Sequence, residues 1–407
     1  MSILSLIKGK NKNNNSFFVL DIGDFSVKCL IVKSDTGREH VNIVGYASEE
    51  INPGDVFQGQ IVNIHPVVEK TAIAIDKAVY QSGFKPEYII AGINGTQVVN
   101  QTNEIIHTRK NPKQKISSSE LSEILNASQQ QIKKDILQQG KYSTEIELIN
   151  ASVLETKIDD VAIKNPLDFI GQNIIFKLFS SFAPSIQINA LQTVADNLKL
   201  NLITTVYQPF AYFKTLKNIH ECIVIDIGEN LTSILIVKNN EIVESHTLPI
   251  GSSKFTRKLA DNLEVNVIKA NQYKIDYAND FLSADTTRAI LTLFSQPISK
   301  FNQKILNHIR KIIVKGYPTK ILFTGGGSLL PGIIENFTNE YHKINKKDNQ
   351  IGIIDINYFD DLIDQTNCIQ DTSAMPAIAI AKLGTQFGDY DNTISNFIKK
   401  LYQTLRN

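Results

Sequence analysis

The chain has 407 residues, 42% of them hydrophobic, and a formal net charge of +1. That length holds two or more compact units, and the near-neutral charge gives no global pull toward nucleic acid. No run approaches the ~18 apolar residues of a membrane span, and Cys29, Cys222 and Cys368 form no zinc-type spacing.

The N-terminus, MSILSLIKGKNKNNN, places its short apolar piece ahead of its lysines, the reverse of a secretory signal. A cytoplasmic chain is expected. From Phe17 the sequence reads FFVLDIGDFSVKCLIVK, β-branched and aromatic residues on both sides of a glycine turn, which predicts a hairpin. Half a chain later CIVIDIGENLTSILIVK writes the same hairpin again. Asp21 and Asp226 end the first strand of each copy, just before Gly23 and Gly228. Glycine there lets backbone N–H groups approach a phosphate, and the aspartate can hold a divalent ion through water. One copy alone reads equally as a plain hairpin with an acid in its turn. Two copies predict an internal duplication with a site between the halves.

Between the copies, residues 66–83 read as a helix with proline at its start and glycine at its end. Residues 87–95 and 97–107 read as strands. Arg109, Lys110, Lys113 and Lys115 read as a solvated loop tip. Ser117 and Glu120 form a capping box before a helix carrying Leu121, Ile124, Leu125, Ile132 and Ile136. A separate α/β unit is therefore expected from Phe57 to about Asn150. After the second hairpin, residues 252–317 are mostly helical. One face of that stretch carries Phe301, Ile305, Ile309, Ile312 and Ile313. His308 beside it reads as structural. The seven histidines show no cluster in the sequence, and no catalytic triad is visible. KILFTGGGSLLPGIIENF, residues 320–337, reads as a strand, three glycines and a helix with Pro331 in its first turn. In the tail, Ile394, Phe397, Ile398, Leu401, Tyr402 and Leu405 make one apolar helical stripe flanked by Lys399, Lys400 and Arg406. Such a helix packs on its own domain or lies on a membrane surface.

The two hairpins and the triple-glycine turn resemble the phosphate-one, phosphate-two and adenosine motifs of the actin-like ATPase superfamily. Within it the chain resembles FtsA, the actin-like bacterial division protein, and its relative PilM of type IV pilus machinery. LPIGSSKFTRKLADNL is similar to the FtsA segment P-x-G-G-x-x-x-T. KANQYKIDYA stands where the family has an A-E-x-x-K helix lining the nucleotide: Ala270 and Lys274 match, and Asn271 replaces the glutamate. NPGDVFQGQIVN and IKNPLDFIGQNI resemble signatures flanking the inserted subdomain, and DTSAMPAIAIAKLG resembles the last helix before the tail.

The resemblance implies an α/β actin-like ATPase fold, with two duplicated lobes around a nucleotide cleft and an FtsA-type inserted α/β subdomain. The boundaries expected are an extension over 1–16, a first lobe over 17–56 and 151–216 packed by part of 371–387, and an insert over 57–150. A second lobe follows over 217–250 and 318–387, with a helical subdomain over 251–317 and a linker and amphipathic helix over 388–407. It implies ATP with magnesium, held by Asp21, Gly23, Asp24, Ser26 and Lys28 of the first loop, and by Asp226, Gly228, Glu229, Asn230 and Thr232 of the second. Gly251, Asn271, Lys274, Gly325, Gly326, Gly327 and Ser328 complete the set, with Asp21 and Asp226 holding the metal through water.

The second loop departs from the family, which reads D-x-G-G-G-T-T; here two glycines are gone and Glu229 is added. A carboxylate about 4 Å from a phosphate oxygen costs ~1 kcal/mol in water and ~4 kcal/mol at an effective dielectric near 20. Either Glu229 turns away, or it shares the magnesium, or nucleotide binds weakly; Asp24 raises the same question. Weak or absent ATPase activity is expected. The partners implied are an FtsZ C-terminal peptide, further copies of the chain in a filament, and the cytoplasmic face of the cell membrane through the tail stripe, with no nucleic acid. A PilM-like scaffold binding a short peptide of an inner-membrane protein is the alternative, supported by the SLIKGK start. A sugar-kinase-type phosphotransferase is a third, for which no carboxylate base can be nominated.

Overall fold

The computed structural model describes residues 16–34, 40–140, 145–313 and 316–385. The tail stripe from Ile394 to Leu405 and the extension over 1–15 lie outside the described residues.

The first hairpin is β1 (Ser16–Ile22) and β2 (Ser26–Ser34), followed by the antiparallel β3 (Val41–Glu50). A small hairpin, β4 (Val56–Phe57) and β5 (Gln60–Ile61), leads into α1 (Ile64–Ser82). This helix buries Val67, Thr71, Ala74, Ile75 and Ala78, a stripe of helical period. It ends where Gly83 takes φ 74° and donates its N–H to the Val79 carbonyl. The chain returns as β6 (Tyr88–Ile93), parallel to β1.

Beyond β6 stands a separate layer made of β7 (Val99–Thr108), α2 (Ser118–Gln138), β8 (Ile146–Ile158), β9 (Val161–Ala162) and β10 (Asn173–Pro184). Its strands form an antiparallel sheet in the order β7-β10-β8-β9, with α2 packed on it through Leu121, Ile124, Leu125, Ile132 and Ile136. Next come α3 (Ser185–Asn197), β11 (Asn201–Tyr207) and α4 (Gln208–Thr215). β11 joins β6 in parallel.

The second half opens with β12 (Cys222–Ile227), β13 (Thr232–Lys238) and β14 (Glu241–Leu248). The helices α5 (Ser253–Leu263), α6 (Val267–Ala278) and α7 (Ala284–Ile312) follow. Then come β15 (Lys320–Thr324), α8 (Ile333–Ile344), β16 (Gln350–Ile353), β17 (Leu362–Asp364) and α9 (Met375–Thr385).

The duplication is visible in the pairing. Among the described residues the first sheet runs β11-β6-β1-β2-β3-β17 and the second runs β16-β15-β12-β13-β14. In each, an antiparallel three-strand meander is extended by two parallel strands on the side of its first strand. Between the sheets lies one apolar cluster. It takes Val19, Leu30 and Val32 from the first, Val224, Leu235 and Val237 from the second, and Tyr212, Ile378 and Ile380 from α4 and α9. The last helix of each half thus closes the core of both.

Two expectations change. The insert expected over 57–150 lies elsewhere: α1 and β6 belong with the first sheet, and the separate layer is built from Val99 to Pro184. β6 is buried almost throughout, as a parallel strand covered on both sides is, whereas β7 alternates between partly and fully exposed positions. Arg109 is not a solvated loop tip. Its side chain is 1% exposed and pairs with Glu120 at 2.7 Å, while its guanidinium donates to the carbonyls of Gly171 and Gln114 at 3.0 Å each. It therefore pins three segments of the insert together.

Removing Arg109 leaves the Gly171 and Gln114 carbonyls without their donor, at ~1–3 kcal/mol for each buried acceptor, while the partly exposed Glu120 regains water. Arg109→Ala should lower the unfolding free energy in urea by about 3 kcal/mol, with Lys113→Ala near wild type. Equal stability of the Arg109→Ala protein would show that the insert does not depend on this contact.

Candidate functional site

β1 and β12 end in the same turn. The Gly23 N–H donates to the Ser26 carbonyl at 3.0 Å, and the Gly228 N–H donates to the Leu231 carbonyl at 2.8 Å. Across the hairpins, Asp21 pairs with Lys28 and Asp226 with Ser233. Both turns border one cavity of about 340 Å³ between the lobes, within the range of small-ligand sites. The third wall is the glycine run after β15. Gly325 has φ 81°, and a Cβ on it would lie 2.3 Å from Asp226 Oδ1 and 2.5 Å from the Ile227 carbonyl oxygen. No other residue fits there. Gly326–Leu329 then form a short 3-10 turn before α8 begins at Ile333, so Pro331 lies ahead of the helix and not in its first turn.

Of the residues expected at the site, Asp21, Gly23, Asp24, Ser26, Lys28, Asp226, Gly228, Glu229 and Asn230 line the cavity. So do Asn271, Lys274, Gly325, Gly326 and Gly327. Three do not, and instead shape the loops. The buried Thr232 hydroxyl donates to the Ile250 carbonyl at 2.8 Å, and the buried Ser328 hydroxyl to the Gly325 carbonyl at 2.7 Å. Gly251 lets α5 start against the second loop: a Cβ on it would lie 2.3 Å from the Glu229 carbonyl oxygen. Just beyond, the Ser252 and Ser253 N–H groups donate to the Gly228 and Glu229 carbonyls.

The acids are paired within the protein. Asp21 is buried, accepts a hydrogen bond from Gln208 Nε2, and lies 3.9 Å from Lys28 Nζ. Burial raises its pKa, and Lys28 and Gln208 pull the other way. Burial and the negative Asp21 push Asp226 up to about 7, against Lys28 and the Tyr212 hydroxyl, 3.4 Å away. Two poorly hydrated carboxylates served by one lysine offer hard oxygen donors to a small hydrated cation, the chemistry magnesium prefers.

Asp24 accepts the N–H groups of Gln58 and Gly59 at 2.9 and 2.8 Å and a hydrogen bond from Asn230 of the other loop. Glu229 turns away toward α5 and α6, where its Oε2 accepts from Ser252 Oγ at 2.8 Å and Lys274 Nζ at 2.9 Å. Asn271 accepts from the Thr256 hydroxyl at 3.4 Å.

Sequence reasoning missed Gln208, whose stretch YQPFAY carries no glycine or acid to mark it. It also missed Asn94, which bridges the lobes. The Asn94 amide donates to Ser233 Oγ at 2.8 Å and accepts from the Thr247 hydroxyl at 3.0 Å. The histidines do cluster. His246 and His308 stack with centroids 4.5 Å apart beside Glu244, 62 residues of chain separating the two rings and hiding any motif.

A family model described as "Cell division protein FtsA" matches residues 223–368. FtsA of Streptococcus pneumoniae is 22% identical to this chain over 83% of it and 76% of the relative. FtsA of Bacillus subtilis is 20% identical over 79% and 76%. The chain is FtsA-like. Among solved structures, a chain of the PilM–PilN type IV pilus biogenesis complex superposes with a TM-score of 0.68, covering 90% of this chain and 98% of that one at 14% identity. EutJ, the ethanolamine utilization protein of Carboxydothermus hydrogenoformans, gives 0.51 over 90% and 88% at 15% identity. These two likenesses concern the fold alone, and the fold of this FtsA-like chain is that of the actin-like ATPases.

Asp226 supplies a test. Its folded pKa lies above the ordinary 3.8, so its contribution to stability is full below about pH 4 and is lost as pH rises through 7. Asp226→Asn removes that loss. Its stability relative to wild type should increase between pH 5 and 8 by about 2–4 kcal/mol, one pKa unit being worth about 1.4 kcal/mol. A difference that stays flat across that range in urea titrations would place Asp226 in contact with bulk water.

Proposed function

We propose that this FtsA-like chain is a nucleotide-binding, membrane-associated division protein that assembles into filaments and anchors the FtsZ ring at the cytoplasmic face of the cell membrane. The observation that carries the reading is the convergence of both D-x-G turns and the Gly325–Gly327 run on one interlobe cavity, in a chain similar to FtsA of two bacteria. The ligand is ATP with magnesium. The turns at Gly23 and Gly228 present backbone N–H groups to its phosphates, Gly325–Gly327 give close backbone approach on the adenosine side, and Asn271 and Lys274 flank it from α6. Asp21 and Asp226 hold the metal through water, and the bound metal neutralises phosphate charge.

Turnover is slow in this reading. The second loop lacks the glycines that would bring amides to the terminal phosphate, and Lys274 is committed to Glu229. Wild-type protein should hydrolyse ATP at less than about 1 s⁻¹, the low end of ordinary turnover numbers. Glu229→Gly frees Lys274 for the phosphates and should tighten Mg-ATP binding at least several-fold in calorimetry, whereas Lys274→Ala should weaken it. Fast wild-type hydrolysis, or no response to either change, would remove Glu229 from the account.

The tail supplies the membrane contact. Burying four to six of its apolar groups contributes ~1.5–3 kcal/mol each before the cost of ordering the helix, and each nearby Lys or Arg adds about 1 kcal/mol on anionic lipid. Phe397→Glu, or truncation after Tyr390, should abolish co-sedimentation with anionic liposomes while the circular dichroism spectrum is unchanged. Unfolding on truncation, with no liposome binding by the full chain, would make the tail a packing element.

A second reading, a PilM-like scaffold, draws on the superposition with the PilM–PilN complex. Side-by-side pull-downs with an FtsZ C-terminal peptide and a pilus-protein N-terminal peptide separate the two; capture of the pilus peptide alone decides for the scaffold.

A further inference from the structure

The second lobe carries a group of side chains that the cleft does not use. Glu244 and His246 stand two residues apart on β14, an edge strand, and so share one face of it. His308 stands near the end of α7, and its ring stacks on that of His246 with 18° between the planes. One ligand atom from each of the three side chains lies within 4.8 Å of the other two. The Nε2 of His308 is buried, and among the described residues it has no hydrogen-bond partner. A buried ring nitrogen left unpaired is costly unless something accepts its lone pair or supplies a proton to it.

We propose that Glu244, His246 and His308 form a binding site for one divalent d-block cation of the zinc class. Two imidazole nitrogens and one carboxylate oxygen match zinc, nickel or copper, whereas magnesium takes oxygen donors and keeps its water. Three protein ligands are an open set, and because His246 is exposed, water is available as the fourth ligand. A bound ion lies in the plane of each imidazole that ligates it, so on binding the exposed His246 ring turns out of its stack on His308; the cation then satisfies the orphaned nitrogen and ties the sheet edge to α7. The same strand meets the first lobe on its other face. There the Ser245 hydroxyl bonds the Tyr207 hydroxyl of β11 at 3.0 Å, and the Thr247 hydroxyl donates to Asn94 at 3.0 Å. Metal binding therefore stiffens the strand against which the first lobe rests.

The test uses full-length, untagged protein treated with a chelator and titrated with zinc chloride by calorimetry. One equivalent should bind per chain, with excess magnesium unable to compete. His246→Asn and Glu244→Gln, both at accessible positions, should each weaken binding at least tenfold and leave the far-ultraviolet spectrum unchanged. Zinc should raise the melting temperature of wild type and of neither variant. Because the cluster is separate from the cleft, Mg-ATP affinity should match in all three proteins. Absence of a micromolar zinc site, or zinc affinity unaltered in both variants, would overturn the proposal whatever the nucleotide result.

Discussion

Asp21 and Asp226 each end a central strand at the wall of one cleft, and burial withholds both carboxylates from most of their hydration. Placing two acids this way costs free energy, because burial and mutual repulsion both favour the protonated forms. The surrounding structure offsets the cost locally with Lys28, Gln208 and the Tyr212 hydroxyl. Much else follows from keeping these oxygens where they are. The hairpin turn must be tight twice over. The residue beside Asp226 at the end of the neighbouring strand must be glycine, since even a methyl group at 325 would collide with its carboxylate.

How much of this was legible depended on distance along the chain. Each D-x-G hairpin is local, and its alternation of apolar residues around a glycine could be read directly. Their repetition then announced the two lobes. Helix α1 could be placed to within two residues because its stripe and its terminal glycine are local as well. What failed was pairing. Whether β6 joins the first sheet or the insert depends on partners far away, β1 and β11. The clue was its composition: Tyr-Ile-Ile-Ala-Gly-Ile has no solvent face, while Val99–Thr108 has one. Arg109 was read with its basic neighbours, yet the carbonyls that surround it come from as far as Gly171. Gln208 and the histidine cluster had no local pattern at all; only folding brings them to their partners.

The departures of the second loop from the family pattern lose their oddity in three dimensions. Asp24 and Glu229 occupy matching places in the two turns, and each is answered by donors from its own lobe. Backbone N–H groups of residues 58 and 59 serve the first, and Ser252 and Lys274 serve the second. An acid that appears hostile to phosphate in one dimension is thus a strut between a loop and the helix or hairpin behind it. Asp24 also reaches Asn230, so the two turns are linked across the cleft.

The insert leaves the first lobe just after Ile93 and returns at Ser185. Asn94 stands at the root of the outgoing leg and Gln187 at the root of the returning one, and both line the cavity. The insert is in effect a platform on two short legs whose feet are set in the cleft wall. A tilt of the platform moves both feet together, and a change in the spacing of the walls rocks the platform. Coupling of that kind is reciprocal. If a partner gripping the insert shifts those walls, it changes how tightly the cleft holds a ligand, and the ligand changes the grip by the same factor.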